Sequence, residues 1–194
     1  LIIDAADELF ARYGYERTSM DDIARHLGIG KGSIYLDFRT KEEILITILK
    51  RYVQRIFEVM QQKVEKCSTS PLLTLQEMSE EQVTMVFDRV TRDIHTPEAL
   101  VHTSIQMKHR FSDFFIAKRA LILKLLVMAA DAGEIPRENA QEEVAQAFMM
   151  GTCSLYPPYL DNFSEAKARV SRNELRKRAK LVIQLLISGL RKAD

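Results

Sequence analysis

Within the stretch from Thr18 to Lys41, TSMDDIARHLGIGKGSIYLDFRTK, several side chains with distinct binding chemistry lie close together. Lys31 and Lys41 are cations, Ser33 and Tyr35 carry hydroxyls, and Leu36 offers an apolar tip. Ammonium and hydroxyl groups hold phosphate oxygens, and an aliphatic tip can meet a thymine methyl, so the set suits contact with a duplex groove. No comparable constellation exists for covalent or metal chemistry. The chain has no Ser-His-Asp arrangement, phosphate loop or HExxH pattern. His95, His102 and His109 recur every seven residues, but seven helical residues span about 10.5 Å, too far for two imidazoles to share an ion comfortably. Pro97 also interrupts the first interval. Surface or pocket-edge histidines are the simpler reading. The pairs Asp21-Asp22, Glu42-Glu43 and Glu142-Glu143 fall at starts of helical patterns, where the helix dipole favours carboxylates. No catalytic residue, metal or cofactor is expected.

The elements that must position the first set are short helices. Thr18 with Asp21 reads as an N-cap and capping box, and Met20, Ile23, Ala24 and Leu27 supply the apolar face of the helix that follows. Gly28 ends it, since glycine accepts the left-handed conformation, and Gly28-Ile29-Gly30 makes the turn. From Lys31 a second helix starts, with Ile34 and Phe38 one turn apart as its buried pair and Ser33, Tyr35 and Leu36 pointing elsewhere. Two helices at this spacing match a helix-turn-helix, whose second helix enters the major groove. Leu1 to Gly14 forms a preceding helix, with Ala5, Ala6, Leu9, Phe10 and Tyr13 on its apolar side, and completes a three-helix unit.

The segment RTSMDDIARHLGIGKGSIYLDFRTKEEIL resembles the DNA-binding segment of the tetracycline-repressor (TetR) family of bacterial transcription regulators. The resemblance is specific from Leu1 to about Ile48; beyond it only length and helical layout match. It implies a DNA-contacting set of Thr18, Ser19, Lys31, Gly32, Ser33, Tyr35, Leu36 and Lys41. Tyr35 and Lys41, helped by Ser19 or Thr18, would hold phosphates, while Lys31, Ser33 and Leu36 face the groove. Asp37 departs from the family, whose members often carry a neutral side chain or histidine there. A carboxylate beside a phosphate would repel it, so Asp37 faces a base or solvent.

Overall charge does not announce nucleic acid. The chain of 194 residues has net charge +1, and Leu1 to Lys50 holds seven Lys/Arg against nine Asp/Glu. Within Arg25–Lys41, however, four cations face one anion. Local charge matters most, because salt screens charges beyond about 8–10 Å. With 46% hydrophobic residues the chain can bury a substantial core, and no apolar run is long enough to span a membrane. No secretory signal is evident. Cys67 and Cys153 make no CxxC or Cys/His spacing, so free thiols in a reducing cytoplasm are expected, with a redox sensor as the alternative. The chain starts at Leu1 inside an amphipathic pattern, without an initiator Met, so further N-terminal residues are expected.

Low Gly and Pro counts and the lack of strand-like alternation predict an all-α fold. Thr40 with Glu43 caps a long helix from Lys41 to about Glu65, marked by Ile44, Leu45, Ile48, Leu49, Tyr52, Ile56 and Val59. Ser70-Pro71 starts the next, running to about Ile94, and Thr96-Pro97 another. A helix spans Phe111–Ala132, closed by Gly133. Asn139 with Glu142 opens one that reaches about Leu155, where Pro157-Pro158 stops it, and Ser171 with Glu174 caps the last, to about Arg191. The expected organisation is a helix-turn-helix domain, residues 1–48, joined by the long helix to a larger ligand-binding and dimerisation domain, residues 49–194.

Methionines 78, 85, 107, 128, 149 and 150 cluster in the C-terminal two-thirds with Phe111, Phe114, Phe115 and Phe148. Plain core packing explains any one of them, and an adaptable apolar pocket explains the group. The family resemblance implies an inducer pocket in this region, with Phe57, Met60, Met85, Met107, Phe111, Phe114, Met128, Phe148 and Met149 as its candidate lining. On the last helix Leu175, Ala179, Val182, Leu186 and Leu190 form a stripe broadened by Ile183 and Ile187, and Arg172, Arg176, Lys177 and Lys180 form a solvated face or a second DNA surface. A four-helix dimer seam of Val144, Phe148, Gly151 and Leu155 with Val182, Ile183, Leu186 and Leu190 follows. These readings converge on a homodimeric, cytoplasmic transcription regulator, a repressor of a palindromic DNA operator released by a small apolar or amphipathic inducer. A helical scaffold whose head contacts protein instead of DNA is the alternative.

Overall fold

The computed structural model describes residues 1–92, 110–156 and 170–191, the side chains of 90–92 excepted. His95, His102, His109, Met107, the Thr96-Pro97 start and the Pro157-Pro158 stop lie outside the described residues. The fold is all-α, with no strand among the described residues. The helices are α1 (Ile2–Tyr13), α2 (Met20–Leu27), α3 (Lys31–Asp37), α4 (Lys41–Glu65), α5 (Pro71–Arg92), α6 (Ser112–Asp131), α7 (Glu142–Gly151) and α8 (Arg172–Leu190). Short 3-10 turns span Arg137–Asn139 and Cys153–Leu155. No helix among the described residues is long and apolar enough to cross a membrane.

The apolar side chains form two cores. The head core takes Ala5, Ala6, Leu9 and Phe10 from α1, Met20, Ile23 and Ala24 from α2, Ile34 from α3, and Ile44 and Ile48 from α4. The body core runs from Ile56 on α4 to Leu190 on α8, where α5 packs on α8 and α6 packs on α4, α5 and α7. Helix α4 thus belongs to both, burying Ile44 and Ile48 in the head and Ile56, Met60 and Val64 in the body. At 1.5 Å per residue it is about 37 Å long.

Helix ends follow local chemistry. Gly28 takes the left-handed conformation at φ 66°, and its N–H reaches back to the carbonyls of Ala24 and Arg25. The Thr40 hydroxyl accepts from Glu43 N–H at 3.1 Å, and Ser171 does the same for Glu174 at 3.2 Å. Ser70 caps α5, accepting from Leu73 N–H at 3.1 Å. Two expected caps are corrected. The box opening α2 is Ser19 with Asp22, whose hydroxyl and carboxylate serve each other's backbone N–H at 3.1 and 2.9 Å. Adjacent Thr-Ser and Asp-Asp pairs fit the box in either register, and burial of Thr18 selects the second. Helix α7 starts after Gln141, not Asn139, and ends at Gly151 before the 3-10 turn. The Asn139 amide instead donates to the carbonyl of Leu190, fastening the end of α8.

Ion pairs tie head to body. The Arg89 guanidinium on α5 donates to both carboxylate oxygens of Asp7 on α1, at 2.6 and 3.1 Å, with the arginine side chain only 10% exposed. Arg110 reaches Glu42 at the start of α4 at 3.1 Å. A cavity of about 520 Å³ lies at this junction, lined by Ile3, Asp4, Asp7, Ile48, Arg51, Tyr52, Met85, Asp88 and Arg89.

Candidate nucleic-acid interface

Helix α3 has one buried side chain, Ile34, which is fully enclosed in the head core. Lys31, Gly32, Ser33, Tyr35, Leu36 and Asp37 are all exposed, and Phe38, expected as a buried partner, is half-buried at the C-cap. A helix anchored by one residue turns its remaining chemistry outward. Leu36 is 87% exposed, the most exposed large apolar side chain among the described residues. A Cβ added at Gly32 would meet nothing within 4 Å, so internal packing does not require glycine there.

The Lys31 ammonium lies 2.7 Å from Asp21 on α2 and 5.9 Å from the centre of the Tyr35 ring. The hydrogen bond to Asp21, then its charge, hold the Lys31 pKa above the ordinary lysine value, so the cation persists. Asp22 is held below the usual carboxylate range by the Ser19 hydroxyl and then the Ser19 backbone N–H. Ser19 itself is exposed at the mouth of α2.

Two members of the expected set are engaged elsewhere. Thr18 is buried, and its hydroxyl donates to the carbonyls of Gly14 at 2.9 Å and Leu9 at 3.4 Å, closing the end of α1. It has no hydroxyl proton left for a phosphate. Lys41 donates to the Tyr15 carbonyl at 2.6 Å and its ammonium lies 4.2 Å from the Tyr15 ring centre. Tyr15 packs edge-on against Phe10, and burial, followed by Glu42 and Glu16, pushes its phenol up. Lys41 therefore braces α4 against the α1–α2 link. Arg39, absent from the expected set, is exposed just past α3, and its side chain has no ion-pair partner among the described residues. Its only signal in the sequence was its place in the local excess of cations.

In the body, the expected pocket residues mostly pack inward. Met60 is 1% and Phe148 3% exposed, both in the core, with Met85, Phe114, Met128 and Met149 packed against it. Phe111 is buried and Phe57 half-buried. Of this set only Met85 lines the junction cavity, whose lining mixes five charged side chains with Ile3, Ile48 and Tyr52. The residues of the expected dimer seam lie largely within or against the chain's own core. Phe148, Leu155, Ile183 and Leu190 are buried in their own chain's core, with Val144, Val182 and Leu186 packed against it. Gly151 faces Leu186 of the same chain so closely that an added Cβ would lie 2.8 Å from its Cδ2. The helical period fixes which residues share a stripe but not how wide a sector the chain's own core covers. The outward apolar residues are Met150 on α7 and Leu181 and Leu185 on α8, each at least 60% exposed.

A short outward helix held by a two-helix support, fused through one long helix to a separate helical body, defines a helix-turn-helix regulator. Residues 2–48 match the family model described as "Bacterial regulatory proteins, tetR family". Over this segment the chain is similar to TetR-family transcriptional regulators. It is 24% identical over 190 residues to the "Fatty acid metabolism regulator protein" of Bacillus subtilis, covering 97% of this chain and 93% of that one. The fold is similar to a transcriptional regulator from Cytophaga hutchinsonii, with TM-score 0.70, 20% identity, and 98% and 97% of the two chains covered. It is also similar to Bacillus subtilis FadR in complex with stearoyl-CoA, with TM-score 0.67, 23% identity and 97% of each chain covered.

Proposed function

We propose that the chain is a ligand-responsive repressor that binds a palindromic operator as a homodimer and is released by a small apolar or amphipathic inducer. The observation that carries this reading is the outward chemistry of α3 around its single buried anchor, Ile34. Ser33 and Leu36 read base edges with Lys31 beside them, Tyr35, Ser19 and Arg39 hold phosphates, and the open space at Gly32 admits the sugar-phosphate backbone. Head and body divide near Ile48. Dimerisation uses the outer faces of α7 and α8, around Met150, Leu181 and Leu185, and sets two recognition helices about 34–36 Å apart, one helical turn of DNA.

Because α4 is buried in both cores, a ligand that shifts its body end also moves its head end. A tilt of about 10° carries the tip of such a lever roughly 6 Å, enough to spoil the spacing of two recognition helices. The relative crystallised with stearoyl-CoA supports an amphipathic inducer. The test is a mobility-shift titration with the DNA upstream of the protein's own gene, with and without stearoyl-CoA. One dimer per palindrome, affinity falling steeply with salt, and weakening by about 5–150-fold with ligand are expected. A protein that binds as a monomer, or with no preference for that DNA over unrelated duplex, contradicts the reading.

A further inference from the structure

Lys118 lies on α6 one turn before Ile122 and two before Leu125, on the face that enters the body core. Its side chain is only 7% exposed. The next residue, Arg119, shows what a cation on this helix ordinarily does: it pairs with Glu142 at 2.9 Å and donates to Gln146 at 3.1 Å. Lys118 has no such partner among the described residues. Among the described residues no carboxylate and no hydrogen-bond acceptor meets its ammonium. What it meets is the face of the Tyr156 ring, 5.3 Å away, with the Cys153 thiol as the other titratable neighbour.

A buried ammonium is expensive to hold without a counter-charge, and buried charges in proteins are ordinarily paired. The tyrosine ring face attracts the cation but accepts no strong hydrogen bond, so among the described residues the ammonium has no protein acceptor. Burial accordingly pulls the Lys118 pKa down to about 8. Its surroundings are apolar: Phe114 lies one turn earlier on α6, and Met149, whose carbonyl accepts from the Cys153 thiol, packs against the same core. A largely buried cation with no protein counter-charge among the described residues, beside adaptable apolar side chains, is half of a site for an amphiphile.

We propose that Lys118 is the anion anchor of the body's ligand site, receiving the carboxylate or phosphate end of an amphiphile whose apolar chain lies among the neighbouring Phe and Met side chains. The assignment rests on the ligand-responsive reading above and narrows its inducer to an anionic one. The anion supplies the missing counter-charge and acceptors, so the lysine becomes fully protonated when the ligand binds.

The test titrates the full chain calorimetrically with laurate, dodecyl phosphate and dodecanol, which share a chain length and differ in the head group. At pH 7 at least one of the two anions is expected to bind at least tenfold more tightly than dodecanol, and the better of the two identifies carboxylate or phosphate as the natural head. In Lys118→Met, an apolar replacement of similar length, that preference disappears while dodecanol binding persists. A second measurement needs no variant. At pH 8.5, titration of the unaltered protein in two buffers of different ionisation enthalpy should show proton uptake with the preferred anion and none with dodecanol, and Cys153→Ser should leave that uptake in place. Equal affinity for anions and alcohol, a preference that survives Lys118→Met, or binding without proton uptake overturns the Lys118 assignment alone. Failure of all three amphiphiles to bind overturns the apolar ligand site itself.

Discussion

Head and body use apolar residues differently. The head closes its core from residues all within 1–48, and it spends only Ile34 of α3 on that core. The body assembles its core from segments about eighty residues or more apart, with α5 against α8, and draws in most of the Met and Phe side chains that looked available for binding. The difference teaches where binding chemistry sits. In the head it is displayed on a short helix with a minimal anchor, so exposure marks the surface. In the body the proposed chemistry is internal, and the informative signal is Lys118, a largely buried cation that meets no carboxylate or hydrogen-bond acceptor among the described residues.

The comparison breaks most visibly at the anchor. Ile34→Ala removes a fully buried side chain and should cost about 2–5 kcal/mol, a large share of a small domain's stability. Hydrogen exchange should show the amides of α2 and α3 losing protection while those of α6 keep theirs. Equal loss of protection across both regions would mean that head and body unfold as one unit.

Asp7→Ala tests the link between the two regions. It leaves the Arg89 guanidinium in place without its bidentate carboxylate, and because Asp7 is itself 29% exposed the cost should be about 2–3 kcal/mol, below that of a fully buried pair. Chemical denaturation measures it. Adding Arg89→Met should recover part of the loss, since the guanidinium that lost this carboxylate is then gone.

Gly32→Ala sharpens the comparison with the smallest stability change. No atom opposes a Cβ at Gly32, and alanine favours helix over glycine, so the head should gain about 0.5–1 kcal/mol. If the proposed interface holds, operator affinity should fall nonetheless, because the added methyl would enter the space assigned there to the DNA backbone. A variant that is both more stable and equally tight on DNA would remove Gly32 from the interface.

Much of the head was legible because its determinants are local. The Gly28 stop, the Thr40 cap, the Ile34 anchor and the outward Tyr35 and Leu36 all follow from spacing within one or two helical turns. Errors there were of one register or one contact. Thr18 and Ser19 are chemically equivalent caps until one is buried, and whether Lys41 is free depends on Tyr15, a residue on another segment. In the body the stripe on α8 was legible but its partition was not. Leu186 and Leu185 are adjacent leucines, yet one packs against the core beside Gly151 and the other is 65% exposed.

By itself, then, the sequence determined the helical class, the order of elements, the helix-turn-helix and the double duty of α4, since caps, glycine stops and the 3.6-residue period act between near neighbours along the chain. Only the tertiary structure decided which cations are engaged, which apolar residues remain outside, and that Lys118 lies buried beside Tyr156. Those outcomes depend on which distant segment packs against a given helix face, and a one-dimensional pattern holds no record of that partner.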